Sequence, residues 1–293
     1  MGYIHIKVEA EQISKKPGKP CGDVYYFERN PNETTIILSD GLGSGVKANI
    51  AATMCVARLR KLIHGGFSLR HAVTNVVQTM TKAVRDNQPY AVFSVARIMN
   101  DGVATILSYE MPPPIFISKN VCTLLNQKTI AVDKATICEA NCYLNVNDAI
   151  MLVSDGIVQA GLGHGLPFGW GSDNLCRYVN HTMKEGTFIT DLPLKVQKKS
   201  IELCNGNTED DSSVIVAHTK PGISTNIMTG PPSVRTKDPE MVRNFLNHSG
   251  YKIVCGGTTA NIVAKYLNQR VNVDNTFADH FTPPKYLIEG IDL

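Results

Sequence analysis

Thr34-Thr35-Ile36-Ile37-Leu38-Ser39-Asp40-Gly41-Leu42-Gly43-Ser44-Gly45 is a β-branched run that halts at Ser-Asp-Gly and passes into glycines. Residues 34–39 read as a buried strand. The same design recurs at Val153-Ser154-Asp155-Gly156, and a third apolar run, Ser212 to Ala217, follows Asp210-Asp211. A carboxylate at the end of a buried strand is costly unless its charge is offset. Several converging on one spot point to a divalent metal. A single Asp-Gly is weak, because Asp-Gly is also a common turn pair, as read here for Asp101-Gly102. Three acidic strand ends outweigh that reading.

Downstream of the glycines, Ala48, Ala51, Ala52, Cys55, Val56, Leu59, Leu62 and Ile63 follow helical spacing, and Gly65-Gly66 stops the pattern. Ser68 is placed to cap a second helix bearing Leu69, Ala72, Val73, Val76, Met80, Ala83 and Val84. Two consecutive one-faced helices imply a layer on a sheet. From Tyr90 the period shifts to two: 92–99 and 103–110 form a hairpin, followed by short strands at 115–118, 121–125, 136–142 and 148–153. The glycine-rich stretch 161–171 suits a mobile flap. Helices are expected at 175–183 and 194–204, and a last strand at 213–218. Residues 218–238, with Pro221, Gly222, Gly230, Pro231 and Pro232, read as a boundary or linker. Beyond it, Asp238 as cap, Pro239 and Gly250 delimit a helix, and 252–255, 256–259 and 260–267 read as strand, turn and helix.

At 293 residues the chain can bury a full core, and with 43% hydrophobic and 19% charged residues its composition is that of a globular protein. A net charge of +3 without a dense Lys/Arg run argues against nucleic acid or a membrane surface as partner. Lys15, Lys16 and Lys19 are read as a solvated loop. No stretch reaches the length of a membrane span, and Met1 to Glu11 lacks a signal-peptide core. The eight cysteines are scattered with no Cys-x-x-Cys pair, which suggests reduced, mostly buried thiols in a cytoplasmic protein.

Two hard cations a few ångströms apart need oxygen ligands, one of them bridging. Taken together, Ser39-Asp40-Gly41-Leu42-Gly43-Ser44-Gly45 with Ala48, Cys21-Gly22-Asp23 with Tyr25 and Phe27, Val153-Ser154-Asp155-Gly156, and Asp210-Asp211-Ser212-Ser213-Val214-Ile215-Val216 closely resemble the ordered motifs of stage II sporulation protein E-like phosphatases. These belong to the metal-dependent protein phosphatase 2C (PPM) superfamily, and the resemblance spans roughly residues 1–220. It implies an α+β fold, a four-layer α-β-β-α sandwich of two antiparallel sheets flanked by helices, with 221–293 as linker and small C-terminal α/β appendage. It also implies a hydrolase for phosphoserine and phosphothreonine, using two Mn²⁺ or Mg²⁺ ions and a bridging water that attacks phosphorus. Asp40 would bridge both ions with the Gly41 carbonyl, Asp23 would bind one, Asp155 and Asp210 the other, and Asp211 would assist as an indirect or auxiliary ligand. The implied partner is a regulatory phosphoprotein such as an anti-sigma-factor antagonist. Where better-known members carry an arginine to hold phosphate, this chain offers only Lys15, Lys16 and Lys19.

His164 is a candidate proton donor to the leaving alkoxide, although a solvated loop histidine is the preferred reading; His5, His64, His71, His181, His218, His248 and His280 show no ligand spacing. A nucleotide phosphate loop at 41–45 lacks the Gly-Lys-Ser/Thr ending. Gly256, Gly257, Thr258 and Thr259 form a weaker candidate for an anion site. The chain ends at Leu293 without a polar tail, which is read as an appendage cut short. The rivals are a hydrolase of small phosphoesters with the same metals and a non-catalytic binding module on the same scaffold.

Overall fold

The computed structural model describes residues 3–43, 45–274 and 285–293. Ser44 of the first motif and His280 lie outside the described residues. Two compact units emerge, Met1–Pro221 and Gly222–Leu293.

The first unit opens with strands β1 (Ile4–Ile13), β2 (Asp23–Arg29) and β3 (Glu33–Gly41), then helices α1 (Val46–His64) and α2 (Leu69–Arg85). There follow β4 (Ala91–Met99), β5 (Val103–Tyr109), β6 (Ile115–Ser118), β7 (Val121–Leu124), β8 (Lys128–Val132), β9 (Ala135–Tyr143) and β10 (Ala149–Val153). The short α3 (Asp155–Val158), α4 (Ser172–Lys184), α5 (Leu192–Leu203) and β11 (Ser212–Pro221) complete it. Six strands in the order β2-β3-β4-β5-β9-β8 make one sheet and five in the order β1-β11-β10-β6-β7 the other, every pairing antiparallel.

Three cores define four layers. Ile37, Phe93, Val95 and Leu107 on one face of the first sheet pack with Cys55 and Leu59 of α1 and Val73, Val76 and Val77 of α2. Ile36, Leu38, Ile98 and Ile106 on its other face meet Ile4, Ile6, Ile150, Leu152 and Ile215 of the second sheet. Met151, Val214 and Val216 then pack with Leu175 and Val179 of α4 and Val196 of α5. Because β3 is covered on both faces, its apolar residues run continuously instead of alternating. The α-β-β-α sandwich is therefore the observed fold, with helix α1 ending at Gly65 and Ser68 Oγ accepting the His71 N–H at the start of α2.

Differences from the sequence reading lie at the edges. Strand β1 is not among the strands expected from the sequence, although Ile4, Ile6, Val8 and Ala10 alternate with polar residues. The edge strand β8 buries only Val132 and so gives a faint pattern. The stretch 161–171 is a chain of tight turns rather than a loose flap. Leu166 N–H donates to Gly161 O (3.2 Å), Gly171 N–H to Val158 O (2.8 Å), and Trp170 is buried.

In the second unit, β12 (Thr225–Thr229) lies inside the expected linker, followed by α6 (Asp238–Asn247), β13 (Tyr251–Cys255), α7 (Gly257–Tyr266), β14 (Asn272–Asp274) and β15 (Lys285–Leu287). Strand β12 pairs parallel with β13, and Met228, Val242, Phe245 and Val263 form a small core. Helix α7 begins at Gly257, so the expected turn supplies its first residues.

Candidate active site

Antiparallel pairing does the first part of the assembly. Asp23 at the start of β2 stands opposite Asp40 at the end of β3. Val153 at the end of β10 stands opposite Val214 of β11, so Asp155 and the Asp210-Asp211 pair fall at the same end. Asp40, Asp155 and Asp210 line one groove of about 550 Å³ together with Lys15, Gly41, Tyr90 and Glu110.

The serine and glycine neighbours of these aspartates have roles that no local pattern discloses. Ser213 Oγ donates to Asp23 Oδ2 (2.7 Å) across the two sheets, while Gln12 Nε2 donates to Ser213 Oγ (2.9 Å) and to Asp23 O (3.2 Å). Ser154 Oγ in turn accepts the Ser213 N–H at 2.9 Å. Asp211 is engaged with the backbone: its Oδ1 accepts from Lys15 N–H and its Oδ2 from Gly22 N–H, both at 2.8 Å. It thereby clasps the 15–22 loop beneath Asp23. Gly41 and Gly156 both occupy points where another backbone passes too close for a side chain. A Cβ at Gly41 would lie 1.9 Å from Ala48 O, and one at Gly156 would lie 2.2 Å from Asp211 O. Asn49 of α1 adds a bond from its Nδ2 to Cys21 O (2.8 Å).

Electrostatics follow from burial and crowding. Asp23 is 1% exposed and its Oδ1 has no hydrogen-bond partner. Burial raises its pKa, with Ser213 and Ser154 opposing and the Asp155 and Asp211 charges adding to the rise. Burial likewise holds the Asp40 carboxyl well above the usual carboxylate range, reinforced by Asp23 and Asp155. Asp210 is raised in the same direction, again mainly by burial. An unpartnered buried oxygen costs on the order of 1–3 kcal/mol, and like charges raise one another. Oxygen-only donors with one buried lone pair unspent suit hard divalent cations such as Mg²⁺ or Mn²⁺. Asp23 and Asp211 turn oxygens toward protein donors, Asp23 toward Ser213 and Asp211 toward Lys15 and Gly22.

Lys15, read from sequence as a solvated loop residue, lines the groove, as do Tyr90 and Glu110, which no motif marked. His164 is occupied at both ring nitrogens, by Glu209 Oε1 (3.2 Å) and Asn205 Nδ2 (3.0 Å). In the second unit, Gly256 has φ +91° and Thr259 Oγ1 accepts the Gly230 N–H (3.1 Å), so that hydroxyl is already partnered within the fold.

The sequence profile of the family described as stage II sporulation protein E (SpoIIE) matches residues 30–220, more than half of the chain. The chain belongs to the SpoIIE family. No curated protein sequence matches it. Among solved structures, the PP2C phosphatase domain with a regulatory-domain fragment of SpoIIE from Bacillus subtilis is similar at a TM-score of 0.65 and 17% identity, covering 76% of this chain and 66% of that one. The chain thus spans just under two thirds of that relative. The RsbU and RsbW domains of a Mycobacterium tuberculosis protein give 0.64 and 14%, covering 83% and 68%. RsbX in complex with magnesium gives 0.52 and 14%, covering 75% and 100%. At these identities the likeness shows the fold.

Proposed function

We propose that the groove hydrolyses phosphoserine and phosphothreonine of a regulatory phosphoprotein, with two divalent ions held by Asp23, Asp40, Gly41, Asp155 and Asp210. The observation that carries this reading is the meeting of Asp40, Asp155 and Asp210 in one groove, with Asp23 directly opposite Asp40, on a SpoIIE-family fold. When bound, Mn²⁺ or Mg²⁺ would supply an activated water at neutral pH and offset charge on the phosphoryl oxygens; RsbX, a structural neighbour, is seen with magnesium.

This chain's own residues supply the rest. Asp40, which faces the charges of both Asp23 and Asp155, would be the carboxylate best placed to share the ions, and its raised proton affinity is the mark of a site that prefers a cation. Asp211 holds Gly22 and Lys15 in place from behind. Lys15, the one cation lining the groove among the described residues, receives the phosphate of the substrate as a point charge. His164 is left out of proton transfer because Glu209 and Asn205 engage both its nitrogens. Residues 1–220 carry the activity and 221–293 form an appendage. A cytoplasmic site of action and a substrate of the anti-sigma-factor-antagonist class follow from the motif resemblance to stage II sporulation protein E-like phosphatases, and membership of the SpoIIE family supports that reading. No helix among the described residues is long and apolar enough to cross a membrane.

The test is hydrolysis of para-nitrophenyl phosphate and of a phosphoserine protein by wild type and Asp40→Asn, with and without Mn²⁺. Activity should require the metal, vanish with chelator, and fall by at least about 100-fold in the variant, the scale of losing a principal electrostatic group. An inactive wild type, or a variant at full rate, overturns the reading. Faster turnover of the phosphoprotein supports a protein substrate, whereas preference for the free ester supports a small-phosphoester hydrolase.

A further inference from the structure

The Sγ atoms of Cys122 on β7 and Cys176 on α4 lie 2.9 Å apart, although the residues are 54 positions apart in the chain. Both belong to the apolar core beneath α4, at 4% and 7% exposure. Their approach is held in place by a separate device. Asn180, one turn beyond Cys176 on α4, accepts the Cys122 N–H on its Oδ1 (2.6 Å) and donates its Nδ2 to Cys122 O (3.1 Å). The side-chain amide thus satisfies both backbone groups of Cys122 on β7, the outer strand of its sheet, and anchors the helix there. Residues four apart share a helix face, so the same face that carries the clamp carries the second thiol.

We propose that Cys122 and Cys176 are a reversible dithiol site that closes to a disulfide on exposure to a low-molecular-weight disulfide, covalently tying α4 to the edge strand. Cys176 is the less enclosed of the two thiols, at 7% against 4% exposure, and the hydrogen bond from Cys122 lowers its pKa, so Cys176 is the first nucleophile. Its thiolate attacks one sulfur of the small disulfide; that S–S bond breaks, one small thiolate leaves, and Cys176 carries a mixed disulfide. Cys122 then loses its proton and attacks Cys176 Sγ, expelling the second small thiolate. Two protein thiols are oxidised to one disulfide, one small disulfide is reduced to two thiols, and the two protons pass to the leaving thiolates. The ring so closed contains β8, β9, β10 and α3, and with them Asp155. In a reducing compartment the pair stays open.

Full-length protein is incubated with glutathione disulfide, alkylated, digested without reductant and mapped by mass spectrometry. The peptides of Cys122 and Cys176 should be recovered joined, lighter by two hydrogens than their sum, and separated by dithiothreitol. The thermal midpoint should rise by about 5–10 °C, the range expected for a crosslink of this loop size in a chain of this length. Exposed Cys255 serves as internal control for reagent reactivity. Cys122→Ser should abolish the joined peptide and the shift; should that variant fold poorly, the wild-type map alone decides. Free thiols at both positions while Cys255 is modified, a persisting mixed disulfide at Cys176, or linkage to another cysteine would each overturn the proposal.

Discussion

At the scale of single residues, the acidic motif is a set of unequal parts. Gly41 follows Asp40 because α1 crosses there, not because its φ is unusual. Gly41→Ala forces the Ala48 carbonyl away, and should destabilise the protein by about 2–3 kcal/mol, the usual cost of overpacking, and cut turnover with it. Urea unfolding and hydrolysis assays read both effects. Ser213→Ala removes the donor to Asp23 Oδ2 in a site where Oδ1 is already unpartnered. A loss of about 1–3 kcal/mol is expected without metal, and a smaller one with saturating Mn²⁺, which a denaturation series with and without the ion would separate. Lys15→Met should raise KM for a phosphoprotein by about tenfold, roughly 1.4 kcal/mol, while the metal requirement stays. An unchanged KM removes Lys15 from the phosphate site.

At the scale of elements, the readable parts were those whose pattern is complete within the segment. Helix α1 buries Ala48, Ala51, Ala52, Cys55, Val56 and Leu59, six of the eight positions its spacing marked, with Leu62 and Ile63 half-buried, and the Asn100-Asp101-Gly102 turn joins β4 to β5 with Gly102 at φ +99°. Strand β12 was hidden among Gly, Pro and Ser because three of its five residues are exposed and its partner β13 lies beyond a helix. Helix α2 depends on its cap: Ser68→Ala leaves the His71 N–H without its acceptor and should cost about 0.5–1 kcal/mol. Thermal melts of the two proteins at equal concentration test this, with no change expected in the metal dependence of activity.

At the scale of the molecule, burial sets a pH limit on stability. His218 on β11 is 5% exposed with an unpartnered Nε2, and burial first, then Lys220 and Lys7, pushes its pKa from 6.5 down to about 4. Between those values the unfolded chain binds the proton and the folded chain does not. The contribution of His218 is therefore intact above about pH 6.5 and declines as pH falls through 4, by about 3 kcal/mol in all. His218→Leu should flatten that part of the stability profile relative to wild type; parallel profiles would show that the ring is not the group responsible. The separation at Pro221 also has a consequence. A fragment of residues 1–221 keeps all three cores of the first unit and should retain cooperative unfolding and metal-dependent hydrolysis.

The order of elements, the two Ser-Asp-Gly strand ends and the family resemblance were legible in the sequence because each is a local signal of periodicity, turn chemistry or motif. Tertiary structure alone decided what the surrounding residues do. Ser213 reaches Asp23 across 190 positions, Asp211 reaches Gly22 across 189, and Cys122 meets Cys176 across 54. The need for Gly41 and Gly156 likewise comes from backbones that approach only when the helix and strands are assembled. Such contacts leave no periodic trace, since they depend on which strand ends share one end of the sandwich, and that is a property of the antiparallel pairing rather than of any segment in it.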